Sequence, residues 1–380
     1  MFERYDVRVF NKIEDLGRDS LDAISDDPFF TYEWFKTLEE QKDFKIAPFY
    51  IAAYHQGELV AFTPCFVDLL DHYFSYCPPV FPYMNRVLRI GNRLKLWNMH
   101  VLLCYSPFCF RSKILVNANF KKSLIYSLIC LKINEICKKE RILFSVFPFI
   151  AESDLLLTRT LGNFNYLRFP WLNTLYLPVN WYSFDEYLAS FKCSVRRNIR
   201  REIMKFNQSG LKLEEDADII GLSERLSVLY AKTFGKYNRD KTSPYGPSFF
   251  SCLGKFCRDK IKLFTAKSGS ETVAFCLCLR HRDVADAYMF GSDYNFRTNT
   301  DFAYFNLAYY EPIKWAIRDG IGKIFYRLAA EDVKLKLGCK PEKTITFVKC
   351  HNKFLAGLVR AYVYKRYGFK KCNFISGINN

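Results

Sequence analysis

The order of elements in the last third of the chain constrains its fold more than any other feature. "IKLFTAK" (261–267), "TVAFCLCLRH" (272–281) and "VADAYMFGSD" (284–293) read as strands, and Ser268-Gly269-Ser270 turns the first into the second. After "YNFRTNT" the pattern becomes helical through "DFAYFNLAYYEPIKWAIRDG" (301–320). Gly320 closes that helix, and "KIFYRLA" (323–329) is again a strand. Antiparallel strands followed by strand, helix and strand predict a layered α/β (α+β) architecture, its sheets mixed, largely antiparallel and flanked by helices.

The rest of the chain repeats this mixture. "DDPFFTYEWFKTLEEQ" (26–41) spaces Phe30, Trp34 and Leu38 as a helix does. "FYIAAYHQGELVAFTPCFVDLL" (49–70) is a hairpin pattern around His55-Gln56-Gly57-Glu58, followed by a Pro- and aromatic-rich loop (74–85), a helix (120–139) and a strand (142–149). At 380 residues the chain is long enough for two domains. The prolines of "RFPWLNTLYLPVN" (168–180) put the boundary near 175, giving domains 1–175 and 176–380. Ser183 and Glu186 form a capping-box pattern just beyond it. Helices are expected at 193–208, 222–237 and 248–259. No apolar run approaches the ~18–20 residues that span a bilayer, and the charged N-terminus is unlike a signal peptide, so a soluble, cytoplasmic protein without an integral membrane segment is expected. The fourteen cysteines show no CxxC and no zinc spacing with histidine, which predicts reduced thiols packed as small apolar groups.

Charge is concentrated rather than spread. The chain carries a net +17, of which residues 171–380 hold +15. Six of the fourteen residues from Lys192 to Lys205 are Lys or Arg. On a helical wheel Phe191, Val195, Ile199, Ile203 and Phe206 share one side, and Lys192, Arg196, Arg197, Arg200, Arg201 and Lys205 share the other. Opposite charges at i,i+4 are almost absent, so the ridge repels itself. Arg bonds phosphate oxygens in pairs, which makes the ridge a candidate seat for a polyanion; a solvated helix face is the alternative.

"FDEYLASFKCSVRRNIRREIMKFNQSGLKLE" (184–214) resembles the part of FemAB-like proteins where a basic helix leads through Gly into a strand. The stretch 286–348 resembles their last third, with Tyr309, Tyr310, Ile313, Ala316, Ile317 and Gly320 followed by Asp332, Lys334, Gly338 and Pro341. "DPFFTYEWFKTLE" and "YIAAYHQGELVAFTP" resemble the first domain of the peptidoglycan biosynthesis/recognition-type acyltransferases of that group. The resemblance implies two tandem GNAT-like domains. It implies an N-acyltransferase that joins an aminoacyl group from aminoacyl-tRNA, or an acyl group from acyl-CoA, to an amine on a peptidoglycan precursor or specialised metabolite. The implied partners are tRNA and a small-molecule or cell-wall-precursor amine, with no tightly bound cofactor and no metal. The chain has Tyr304-Phe305-Asn306 where the tightest branch of the family has His-Phe-Glu, and Asp332-Val333-Lys334 where that branch has Glu-His-Lys.

Amide formation needs a neutral amine, an activated acyl group and support for the tetrahedral oxyanion. Asp293 and Tyr294, just after the strand "AYMFG", are the candidates to accept the amine proton and to orient or donate. Arg196, Arg197, Arg200, Arg201 and Arg297 are candidates for the donor's phosphates, and Tyr304, Asp332 and Lys334 for the acceptor cleft. Lys334 and Lys336 alternate with Leu335 and Leu337 as at the end of a strand. The glycine-rich loop that closes on the CoA pyrophosphate is missing from "NFRTNTDFAYF", which favours tRNA over acyl-CoA as donor. A degenerate, non-catalytic binder of an anionic ligand or RNA would carry the same charge.

Overall fold

A computed structural model describes residues 5–68, 98–170, 172–216, 218–238, 242–295, 301–328 and 330–367. The loop at 74–85 and Arg297 lie outside these residues. The described chain forms two α/β units. The first comes from Met1–Ser25, Ile46–Thr174 and Glu342–Asn380, the second from Asp26–Lys45 and Leu175–Pro341. The expected boundary at 175 coincides with one passage between units, but residues 26–45 and 342–380 sit in the unit opposite to the one a single cut assigns. Apolar burial explains the first exchange. After β1 (Tyr5–Phe10) and α1 (Arg18–Ile24), the helix α2 (Tyr32–Glu40) buries Trp34, Phe35 and Leu38 completely. Trp34 meets Phe249 and Tyr288 edge-on at 6.2 and 5.6 Å between ring centres, both in the second unit.

In the first unit, β1 pairs with β2 (Pro48–His55), and β2 turns through Gly57 into β3 (Glu58–Asp68), as the hairpin pattern predicts. With β4 (Asn98–Leu103), β5 (Leu115–Val116), β6 (Ile142–Ala151), β7 (Leu167–Pro170) and the late strand β15 (Thr344–Cys350) they make a sheet in the order β1-β2-β3-β4-β6-β15-β7, β5 lying beside β3. β15 is antiparallel to both β6 and β7, which draws the tail of the chain back into this unit. Helix α3 (Lys122–Lys139) covers the sheet with Ile125, Ile129, Ile133 and Ile136, beside α4 (Leu155–Asn163).

The second sheet runs β14-β8-β13-β12-β11-β10-β9, from β8 (Thr174–Pro178), β9 (Lys212–Glu215), β10 (Ile261–Ser268), β11 (Glu271–His281), β12 (Val284–Ser292), β13 (Lys323–Tyr326) and β14 (Lys340–Glu342). Half of the capping box is present at α5 (Phe184–Ala189): Ser183 Oγ accepts from the Glu186 amide at 3.1 Å, while the Glu186 carboxylate accepts from the amide of Tyr182, one residue before the cap, at 2.9 Å. The basic helix α6 (Cys193–Asn207) packs on one face of the sheet, and α7 (Ser223–Tyr237) and α8 (Pro247–Phe256) on the other. The long helix α9, residues 303–318, is not uniform: a π-helical turn, Asn306–Tyr310, interrupts it. Residues 331–336 correct the expectation of a strand end: Glu331–Lys336 is a short helix, α10, entered through Ala330 at φ 58°. The interspersed Lys and Leu suit two faces of one helical turn and a half as well as they suit a strand. Helix α11 (Lys353–Tyr367) follows β15.

Two consequences can be measured. A Cβ on Gly291 would stand 2.8 Å from the Tyr230 amide nitrogen and 2.9 Å from the Leu229 carbonyl carbon, both backbone atoms of α7. Gly291→Ala is therefore expected to lower the unfolding free energy by about 1–3 kcal/mol in a denaturant titration. In the first unit, Ser145 Oγ bonds His351 Nε2 at 2.9 Å and Tyr166 Oη at 2.8 Å. Burial, with Lys349 nearby, pushes the imidazole down from 6.5 to about 4. The unfolded chain therefore takes up this proton first as pH falls. The neutral histidine's contribution is complete above 6.5, declines below it, and is lost by about 4. His351→Gln is expected to flatten the fall in stability across that window by up to about one proton, read as the slope of unfolding free energy against pH.

Candidate functional site

The site begins with a parting of strands in the second unit. β12 and β13 run parallel, but their register covers only Val284–Ala287 against Lys323–Tyr326. β12 continues to Ser292, held by β11 across an irregularity between Leu277 and Cys278. Beyond Ala287 and Tyr326 the two strands no longer bond, and their C-terminal ends open a notch. Ligands of open α/β sheets commonly bind in such a place.

The end of β12 is fixed by α7. Thr233 Oγ1 accepts from the Ser292 amide at 2.9 Å, and Lys232 Nζ reaches Asp293 Oδ2 at 2.5 Å. Asp293 is 2% exposed, and its other oxygen accepts from the Asn295 amide at 3.1 Å. Burial works to raise its pKa, but the bonds from Lys232 and Asn295, with Arg225 at 3.7 Å, outweigh it and hold the carboxyl below its usual range. Tyr294 is half-buried, with Lys236 Nζ 4.0 Å from its ring centre.

One wall of the notch is aromatic. Tyr309, in the π-helical turn, lies 5.2 Å from Tyr326, the last residue of β13, and Tyr304 lies 4.9 Å from Phe290 of β12. Tyr304 and Tyr309 share a hydrogen bond of 3.0 Å, and burial raises both phenols above their ordinary pKa. The extra residue of a π-turn shifts the facing of the side chains after it, and such turns are common at functional sites. Here it is tied to the basic helix: Tyr310 Oη donates to Glu202, and Asn306 Nδ2 donates to the Glu202 carbonyl at 3.3 Å and to Phe302 O at 2.9 Å. Glu202, the one acid of α6, is thus spent inward. Burial raises its carboxyl pKa despite the opposing Tyr310 bond and Arg201.

The opposite face of α6 is left cationic. Ile199 and Phe206 are buried in the core, each such side chain contributing about 1.5–3 kcal/mol, and they fix which face looks out. Arg197, Arg200, Arg201 and Lys205 are exposed, and Arg196 is half-buried, 3.5 Å from the Phe191 carbonyl. Arg200 has a loose contact with Asp185 at 3.8 Å, both groups in solvent, worth little in water.

The other expected residues divide. Lys334 is 3% exposed and its ammonium bonds the carbonyl of Arg327, tying α10 to the end of β13; burial pushes it down to about 8. Asp332, two residues away in α10, is exposed and does not share this environment. Arg327 stacks 5.2 Å over Tyr288, whose hydroxyl donates to Tyr245 at 2.8 Å. Arg327, Tyr326 and the Lys232–Asp293 pair were not singled out from sequence as a constellation, because only folding brings 232, 293 and 326 to one end of the sheet. The one usable signal was position: Asp293 and Arg327 both follow strand patterns. Among the described residues no group of three or more His, Cys, Asp or Glu could hold a metal ion, and no helix is long and apolar enough to cross a membrane.

Comparison with known proteins bears on the fold. FemX is similar in structure at a TM-score of 0.61 and 13% identity, over 92% of this chain and 99% of its own. The C-terminal domain of a putative lysylphosphatidylglycerol synthetase from Agrobacterium fabrum is similar at 0.55 and 10%, over 92% and 96%. A conserved protein of unknown function from Bacteroides thetaiotaomicron follows at 0.52 and 13%, over 91% and 99%. At such identities these likenesses show the fold. No curated protein matches the sequence. The profile of the FemAB-like family, described by peptidoglycan biosynthesis/recognition, matches residues 10–371, and the chain belongs to that family.

Proposed function

We propose that the protein is an N-acyltransferase that moves an aminoacyl group from aminoacyl-tRNA to an amine of a peptidoglycan precursor or a specialised metabolite, in the cytoplasm. The observation that carries the choice of donor is the outward face of α6, where Arg197, Arg200, Arg201 and Lys205 stand exposed with only the loose Asp185 contact against them. A row of guanidinium groups suits a polynucleotide backbone better than one small anion. Family membership supports acyl or aminoacyl transfer, and the bond from Tyr310 to Glu202 braces the inner side of the helix that carries this surface.

Chemistry in the notch would rest mainly on holding the two substrates together, which can supply much of the barrier reduction. Asp293, held as a carboxylate by Lys232, suits a seat for the acceptor's ammonium, Lys232 giving way to it, and takes its proton as the amine attacks. Tyr294, next in the chain, orients that amine. Tyr304 lines the acceptor side. Lys334 keeps the end of β13 in place through Arg327, while Asp332, exposed on α10, meets the acceptor at the rim. Arg297, outside the described residues, is proposed to add to the donor's phosphate contacts.

Binding of a mixed aminoacyl-tRNA pool is expected to weaken steeply with salt, and Arg197→Ala/Arg200→Ala/Arg201→Ala is expected to lose at least tenfold in affinity and to reduce the slope of log K against log salt by about 2–3. A filter-binding titration of both proteins, with acetyl-CoA in parallel, decides it. Acetyl-CoA binding without tRNA binding would replace the donor by acyl-CoA. Binding of tRNA without turnover on any amine would make the protein a non-catalytic reader of RNA.

A further inference from the structure

One buried hydroxyl at the end of β13 breaks a pattern that the rest of the unit keeps. Its buried tyrosines are hydrogen-bonded: Tyr187 to the Leu337 carbonyl at 3.1 Å, Tyr288 to Tyr245, Tyr309 to Tyr304 and Tyr310 to Glu202. Tyr326 is 5% exposed, and its Oη has no partner among the described residues. Folded interiors seldom leave a buried donor unmatched, because it has lost water and gained nothing. Tyr326 is also the last residue of β13 to pair with β12, so its backbone stands at the end of that pairing, and its hydroxyl is buried in the core beneath it. Its ring packs on Tyr309 at 5.2 Å, and the same core holds Ala287, Ala308, Cys276 and Cys278. Burial raises the phenol's pKa well above the ordinary value, so it remains an O–H donor at physiological pH. A protonated donor without a partner calls for an oxygen acceptor.

We propose that the Tyr326 hydroxyl donates its hydrogen bond to the carbonyl oxygen of the acyl group being transferred, and to the oxyanion that this oxygen becomes. The assignment rests on the transferase reading above. In the step it serves, the amine lone pair forms the C–N bond and the carbonyl π pair moves onto the oxygen, where the Tyr326 O–H meets it. When that pair returns, the C–O bond to the tRNA ribose breaks, and the ribose oxygen takes the proton that Asp293 received from the amine. A thioester donor would release its thiol in the same way. A donor aimed at the developing oxyanion acts more strongly in the transition state than on the bound ester, so its loss falls on kcat.

Tyr326→Phe tests this in two readouts on the full chain. Without substrate, the variant is expected to melt at the same temperature as the wild type or slightly higher, since it removes an unmatched hydroxyl and keeps the ring. A fall of more than about 3 °C would mean the hydroxyl serves a structural partner, and would overturn the proposal. With an aminoacyl-tRNA pool or acetyl-CoA as donor and hydroxylamine as acceptor, kcat is expected to fall about 100-fold or more with KM little changed. Retention of kcat within about fivefold would overturn the role of Tyr326 while leaving the transferase reading intact. A wild type silent with both donors would overturn the two together.

Discussion

The site depends on how early β12 and β13 stop bonding. Four residues of parallel register hold them together, and then β12 goes on alone for five more, gripped from behind by Thr233 and Lys232 of α7. Gly291 lets α7 approach that closely, because any Cβ there would strike helix backbone. β11 and α7 hold one lip of the notch, the end of β12, and β8 holds the other, the end of β13. Lys334 secures the second lip by bonding the carbonyl of Arg327. The Asp293 carboxylate and the Lys334 ammonium are taken out of water, so removal of a partner from either is costly.

The basic helix shows how one sequence serves two environments. Its apolar stripe is spent on the core and its single acid on Tyr310, which leaves the outer face without internal compensation. Like charges on an exposed ridge cost little in water and salt, so the fold tolerates them. The helix is thus tied at Glu202 and Asn306 to the π-turn that positions Tyr309 and Tyr310. Anything bound on the outer face meets a helix that is braced against the wall of the notch.

Much of the fold was legible because it rests on local rules. The serine cap at Ser183, the hairpin through Gly57 and the stop at Gly320 follow from near-neighbour chemistry, and all are present. The domain boundary was only partly legible. Nothing local tells that Trp34 and Phe35 belong with Phe249, or that "TITFV" returns to lie between β6 and β7, since both are partnerships over long separations. The short helix at 331–336 was missed because six residues alternating in polarity satisfy either period. Among the site residues, the strand-end position of Asp293 and the character of the Arg ridge were readable. That Asp293 is already paired to Lys232, and that Lys334 and Asp332 live in different surroundings, was not.

The sequence by itself settled composition and period: a layered α/β chain, a helix with one apolar and one cationic face, a run of strands leading into a long helix, and membership of a recognisable family. Those properties belong to residues within a few turns of each other, where propensity, capping and amphipathicity act. The tertiary structure alone decided which polar groups would be matched. Six tyrosines look alike in the sequence at 187, 245, 288, 309, 310 and 326, and only packing gives five of them partners and leaves Tyr326 without one. Hydrogen bonding is short-ranged and directional, so whether a hydroxyl is satisfied depends on which distant segments arrive within about 3 Å of it, and no local pattern fixes that.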